Sequence, residues 1–340
     1  MNKKLKTAII GMGKMGKLRY RILQEHGGFE IVALCDTNIG NLSGYTERTY
    51  QNWKECVNSE KLDAVFVCTF NAYISEIVCE SLKRGMHVFA EKPPGRNLAE
   101  TQEMKKAHDQ SGCVLKFGFN HRYHNSIIEA KALIESGLLG DIICARGVYG
   151  KAGTPNFEQE WRNNAEISGG GILLDQGIHM LDLLYYFLGE FASVKSVVNT
   201  LAWKKIPVED NAFALLETSK GQIASLHSSA TQWKHKFNLE IVCTNGYIEL
   251  DGLITSTLSY GEEKLTYYRK DLNARTGKLG RPSEHTLCFT EDHSWYYEVK
   301  EFYDAVVNRE QVKHGNIYDA LYVMSLIERI YESGNSYIMI

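Results

Sequence analysis

Gly11-Met12-Gly13-Lys14-Met15-Gly16 is a Gly-x-Gly-x-x-Gly run set directly after a short apolar stretch and before a helical one. In that position the first glycine permits a tight turn, the second lets backbone approach a pyrophosphate, and the third allows close helix–sheet packing. The free N–H groups at the start of the following helix, with their partial positive charge, would then hold the phosphates. Twenty residues beyond Gly16 stands Asp36, which ends the apolar run Val32-Ala33-Leu34-Cys35. A carboxylate there accepts from adenosine ribose hydroxyls and repels a 2′-phosphate. Neither Thr37 nor Asn38 offers a positive charge to offset that repulsion. The expected cofactor is NAD(H) rather than NADP(H), held by Gly11, Gly13, Lys14, Met15, Gly16 and Asp36.

Three further side chains could act on a substrate. Lys92 follows an apolar run, His87–Ala90, so its ammonium would lie at the carboxyl end of a strand, where it could stabilise a developing alkoxide. Asp175 and His179 are four apart in a stretch of helical periodicity and share a face, which Asp182 continues. Ile172, Leu174, Ile178, Leu181 and Leu184 can pack the remainder. An imidazole near its ordinary pKa can take a hydroxyl proton, while a carboxylate beside it fixes the ring or grips a neighbouring hydroxyl. A pair of this kind alone reads more simply as a capping Asp and a satisfied core His. Beside Lys92 and the glycine turn it reads as a site.

Those residues need elements to hold them. In the first third, strands are expected at Lys6–Ile10, Phe29–Cys35, Asp63–Thr69, His87–Ala90 and Val114–Phe119, with helices at Lys14–Glu25, Ile74–Arg84 and Leu98–Ser111. Near-continuous apolar strands separated by helices imply a parallel sheet covered on both faces, with ligands at the carboxyl ends of its strands. From about residue 120 the texture changes. A helix at Ser126–Ser136 leads to a strand at Ile142–Tyr149, a glycine-rich link and a second helix. Strands then dominate: Val194–Leu201, Asn211–Thr218, Gln222–Ala230, Asn238–Cys243, Gly246–Asp251, Thr255–Ser259 and Lys264–Arg269. Strands in succession indicate an antiparallel sheet, so this half is α+β. Closing helices are expected at His293–Val307 and Ile317–Ser333, and a loop at Asn273–Ser283. The expected domains are therefore residues 1–120 and 121–340.

Composition narrows the class. The chain has 340 residues, 44% hydrophobic and 23% charged, which is ordinary for a globular protein of two domains. A formal net charge of −3 gives no basic face for nucleic acid. No polybasic cluster suits anionic lipid, and no apolar run approaches a membrane span. Lys3, Lys4 and Lys6 precede only the short run Ala8-Ile9-Ile10, too little for a secretory signal. No two of the eight cysteines are closer than Cys68 and Cys79, so no metal-binding pair is seeded and no metal is expected. Buried reduced thiols in a cytoplasmic protein are the expectation.

Further motifs carry a family resemblance. Gly85-Met86-His87-Val88-Phe89-Ala90-Glu91-Lys92-Pro93, Gly118-Phe119-Asn120-His121-Arg122, Trp161-Arg162 and Gly169-Gly170-Gly171-Ile172-Leu173-Leu174-Asp175-Gln176-Gly177-Ile178-His179 follow the glycine turn in order. Together the chain resembles the glucose–fructose oxidoreductase / inositol dehydrogenase / rhizopine catabolism (Gfo/Idh/MocA) family from about residue 5 to its C-terminus. The resemblance implies an α/β architecture. In it a Rossmann domain precedes an α+β domain with an open, mainly antiparallel sheet, and a last helix, about residues 317–333, returns toward the first domain. It implies a homo-oligomer, a dimer or tetramer, and a dehydrogenase acting on a secondary alcohol of a sugar, cyclitol or sugar derivative. Lys92 falls on the family's active-site lysine, and Asp175 and His179 on its Asp-x-x-x-His pair. Thr69, Phe70, Asn71, Glu91 and Lys92 would join the cofactor contacts, with Phe70 standing where the family usually has proline. Asn120, Arg122, Trp161 and Arg162 would join the substrate contacts, the arginines on polyol oxygens or an anionic group. His124 is given no role. The alternatives are a nucleotide-sugar dehydrogenase, a redox-neutral enzyme that cleaves glycosides through transient oxidation, and a sensor of NAD or sugar without turnover.

Overall fold

The computed structural model describes residues 4–270 and 283–335. In chain order these form β1 (Leu5–Ile10), α1 (Lys14–His26), β2 (Phe29–Cys35), β3 (Arg48–Tyr50), α2 (Trp53–Ser59), β4 (Ala64–Val67), α3 (Asn71–Lys83), β5 (His87–Ala90), α4 (Leu98–Ser111) and β6 (Leu115–Phe117). There follow α5 (Asn125–Glu135), β7 (Ile142–Ala152), the single turn α6 (Ala165–Ser168), α7 (Ile178–Leu188), β8 (Phe191–Asn199), β9 (Asn211–Thr218), β10 (Ile223–Ser229), β11 (Thr231–Cys243), β12 (Gly246–Asp251), β13 (Glu263–Arg269), β14 (Glu284–Phe289), α8 (Ser294–Asn308) and α9 (Ile317–Asn335). The loop expected at Asn273–Ser283 lies outside the described residues except for Ser283.

The chain divides into two units, each assembled from three segments. The first takes Met1–Asn120, Ala165–Gly169 and Trp295–Ser325; the second takes His121–Asn164, Gly170–Ser294 and Leu326–Ile340.

In the first unit six strands pair in parallel in the order β3-β2-β1-β4-β5-β6. This is the Rossmann order, which reverses direction between β1 and β4 and leaves a crevice at the carboxyl ends of those strands. The runs expected to be strands are here, buried on both faces. Their core stacks Phe66 on Phe89 at 4.9 Å and sets Phe302 of α8 edge-on to both, at 5.5 and 5.8 Å. Each such ring taken out of water contributes roughly 2–3 kcal/mol. The short β3 escaped the sequence reading because Arg48-Thr49-Tyr50, largely exposed beside β2, has no apolar pattern.

In the second unit eight strands run β14-β13-β12-β11-β7-β10-β9-β8. All pairs are antiparallel except β7 with β10. β7, β10 and the segment that begins α7 pack together at the centre. Strand β9 shows why one face stays open: Ala212, Ala214 and Leu216 are buried, whereas the alternate residues Phe213 and Leu215 are exposed. Two expectations fail here. Thr255–Ser259 is a turn whose hydroxyls bond one another, Thr255 to Thr257 at 3.2 Å and Thr257 to Ser259 at 2.8 Å. Strand β14, with five of its six residues exposed, was not expected at all.

Candidate active site

The carboxyl ends of β1, β2, β4 and β5 bring the first group of candidates together. Gly11 has φ 92°, and a Cβ on it would come within 2.5 Å of the Cys68 carbonyl oxygen. A Cβ on Gly16 would collide with the Gly11 carbonyl oxygen. Only glycine lets α1 start so close to the turn. At Gly13 a Cβ would meet nothing within 4 Å, no side chain caps the helix N-terminus and no acid sits in its first turn. The helix therefore presents backbone N–H groups to open space, which fits a pyrophosphate. Asp36 does more than the sequence suggested. Its Oδ2 accepts from Met12 N at 2.7 Å and Asn41 Nδ2 at 3.2 Å, and its Oδ1 from Asn38 N at 2.8 Å. One carboxylate thus braces the glycine turn and retains an acceptor position for a ribose hydroxyl.

The loops after β4 and β5 carry the next candidates. Asn71 is buried and its Nδ2 donates to the Ser168 carbonyl at 2.7 Å, so its side chain is committed within the unit. Thr69 Oγ1 donates to the Phe70 carbonyl at 3.3 Å, and Phe70 itself is exposed. Glu91 turns inward: its Oε1 meets Arg19 Nε at 2.7 Å, and its backbone N–H donates to Val67. Arg19 is fully buried, binds Glu298 Oε2 through Nη2 at 2.7 Å, and lies over the rings of Phe89 and Trp295. The Glu91 carboxylate is therefore a member of a core ion pair. Burial, only partly offset by Arg19 and Lys116, pushes the Glu298 carboxyl up to about 7. Lys92 follows, half-buried, before a cis bond to Pro93. Asn120, closing the unit, is buried.

In the second unit the helix carrying Asp175 and His179 does not begin as an α-helix. Leu173–Gly177 form a π turn, and α7 starts at Ile178. Such turns insert an extra residue and recur at functional sites. Glu209 holds the turn: Oε2 accepts from Gly171 N at 2.9 Å, and Oε1 from Leu173 N and the Tyr331 hydroxyl, both at 2.9 Å. A Cβ on Gly171 would strike the Glu209 carbonyl oxygen, which accounts for that glycine. The next residue, Asp210, ties the neighbouring loop through the N–H groups of Leu201, Ala202 and Trp203 at 2.7–2.8 Å.

The Asp175 carboxylate so placed is gripped by two cations, Lys151 Nζ at 3.0 Å and Arg162 Nε at 3.1 Å. The Arg162 guanidinium lies over the half-buried Trp161 ring at 4.6 Å. His179 is buried, and its ring stacks on His121 at 3.8 Å with an interplanar angle of 19°. His121 Nε2 is 3.1 Å from the Tyr149 hydroxyl, and Gln176 Nε2 donates to the Tyr260 hydroxyl at 2.8 Å. Burial above all, with Tyr260 and Asp175 adding to it, holds the Tyr149 phenol protonated far above its usual range. Arg122, expected among the substrate contacts, forms a buried double contact with Asp182, Nε to Oδ2 at 2.9 Å and Nη2 to Oδ1 at 2.6 Å.

Sequence alone gives Lys151, His121, Tyr149, Tyr260 and Glu209 no part in the site. Strand β7 runs three residues beyond the expected Tyr149 and takes Lys151 with it, on the same face as Tyr149 two residues earlier. Among the described residues no three His, Cys, Asp or Glu side chains are arranged to hold a metal ion, and no helix is long and apolar enough to cross a membrane.

Residues 5–119 match the model of an oxidoreductase family with an NAD-binding Rossmann fold, and residues 127–249 match the Gfo/Idh/MocA C-terminal domain. The chain belongs to the Gfo/Idh/MocA family of NAD-binding oxidoreductases. Among its relatives, D-glucoside 3-dehydrogenase of Escherichia coli (strain K12) is 31% identical over 250 residues, covering 66% of this chain and 70% of that protein. Myo-inositol 2-dehydrogenase of Thermotoga maritima is 26% identical over 271 residues, 76% and 79% of the two chains. The fold is shared with a solved levoglucosan dehydrogenase in complex with NADH and levoglucosan, with a TM-score of 0.85 at 21% identity over 98% of each chain.

Proposed function

We propose that the protein oxidises a secondary alcohol of a sugar or cyclitol, or reduces the matching ketone, with NAD as hydride carrier. The observation that carries this reading is the second unit's polar cluster, a carboxylate fixed by two cations beside a stacked histidine pair. Such groups grip the hydroxyls of a polyol and, in His179, can receive a proton. The named relatives act on a glucoside and on myo-inositol, which supports the same class. Bound NAD supplies the hydride acceptor. Lys92 orients the reacting hydroxyl and stabilises its developing negative charge. His179 takes the hydroxyl proton as the carbon-bound hydrogen leaves as hydride. Asp175 accepts from a neighbouring hydroxyl, and Asn120, Trp161 and Arg162 complete the substrate contacts. Thr69, Phe70 and the backbone at Glu91 line the cofactor. Asp36 favours NAD over NADP by repelling a 2′-phosphate.

Free sugars, cyclitols and glycosides are screened with NAD and NADP, following reduced nicotinamide by absorbance. His179→Ala and Lys92→Ala are each expected to lower kcat about 10²–10⁴-fold while NADH still binds. No reduced cofactor with any polyol, or full activity in Lys92→Ala, would overturn the reading. We place the protein in the cytoplasm as a homo-oligomer. Its eight cysteines are all free thiols, and the open face of the eight-stranded sheet exposes Val197, Phe213, Leu215 and Ile223. Fewer than eight thiols titrating in denaturant without reductant would count against that compartment.

A further inference from the structure

Asp175 is one carboxylate between two cations, so Lys151, Asp175 and Arg162 together carry one positive charge in excess. The groups described beside it in the second unit do not cancel it. Burial keeps the Tyr149 and Tyr260 phenols neutral, and burial followed by Lys151 pushes His235 down, away from its charged form. On the link that delivers Arg162, Glu158 pairs with Lys205 at 3.7 Å and Glu160 accepts from Thr154 Oγ1 at 3.1 Å. The Lys151 and Asp175 side chains are only 13% and 17% exposed, so the excess sits where water screens it poorly.

Arg162 reaches Asp175 through Nε and is 39% exposed, which leaves its Nη1 and Nη2 groups for a ligand. A guanidinium edge is planar and matches a carboxylate with two parallel hydrogen bonds. A neutral polyol brings no charge to offset the excess. A phosphate monoester brings about −1.5 to −2, more than one positive charge balances. We infer that the sugar taken by this site carries a carboxylate, bound by Arg162 and Lys151. The inference rests on the dehydrogenase reading above and narrows its substrate class to sugar acids.

The test uses the holoenzyme with NAD at low ionic strength and matched pyranosides that differ only in a terminal CH₂OH, COO⁻ or CH₂OPO₃²⁻ group. The carboxylate member is expected to exceed its neutral partner in kcat/KM about tenfold or more. Arg162→Gln is expected to collapse that ratio toward one, and added salt to lower it. Equal or better use of the neutral sugar, preference for the phosphate, or an Arg162→Gln loss shared equally by acid and neutral sugar would overturn it. Calorimetric titration of the same sugars gives a readout independent of turnover. If no sugar is oxidised yet the acid binds more tightly and Arg162→Gln abolishes that preference, the dehydrogenase reading fails and the binding class stands. Equal binding of acid and neutral sugar overturns the class.

Discussion

Arg122 and Arg162 stand in comparable motifs, and each was a candidate for gripping substrate. Their partners separate them. Arg122 meets Asp182, 60 residues away, inside the core of its unit, whereas Arg162 meets Asp175 and keeps an exposed edge. Sequence gives residue type and local spacing, so Lys92, Asp175 and His179 were legible as candidates. It does not give the partner across the fold, so the commitments of Arg122, Asn71 and Glu91 were not. Glu298 is a carboxyl whose ionisation such a commitment disturbs. Burial raises its carboxyl from the ordinary 4.5 to about 7. A raised carboxyl binds its proton more tightly in the folded state, so its contribution to stability is fully present below pH 4.5 and is lost as pH rises through about 7. Thermal melts between pH 5 and 8 should show that decline, and Glu298→Gln should flatten it. An unchanged slope in the variant would sink the assignment.

Elements were legible where apolar period and glycine punctuation agreed, as in β1, β2, β4, β5 and the helices between them. The misses share a cause, since neighbours made the element. Edge pairing creates β3 and β14 from exposed residues, and pairing with β10 as far as Gly150 and with β11 at Ala152 carries β7 onward. The π turn is likewise invisible to a 3.6-residue period, because Glu209 fixes it from a distant strand end. That clamp is testable. In Glu209→Gln the amide oxygen can still accept from Leu173 N and Tyr331, but an NH₂ then faces Gly171 N. The expected outcome is a several-fold rise in KM for the sugar, NADH affinity unchanged, and a loss of about 1–3 kcal/mol in stability. A fall in melting temperature with no change in KM would leave Glu209 a merely structural residue.

For the whole molecule, the order of motifs along the sequence is two domains with a last helix returning toward the first. Each unit draws on three separate segments. The open face of the second unit's sheet sets Val197 beside Phe213, with Leu215 and Ile223 on the same side. If the proposed homo-oligomer buries this exposed apolar surface, Leu215→Lys should shift the sedimenting species toward monomer. A wild type that already sediments as a monomer would refute the homo-oligomer. The segmentation has another consequence, in time rather than space. Arg19 and Glu298 are 279 residues apart, so a ribosome adding 5–20 residues per second makes the second roughly 15–60 s after the first. During that interval the nascent Rossmann sheet lacks α8 and holds an arginine whose second carboxylate has not been synthesised. The first unit to emerge is therefore among the last to finish folding, and its unfinished core is the surface a chaperone would meet during translation.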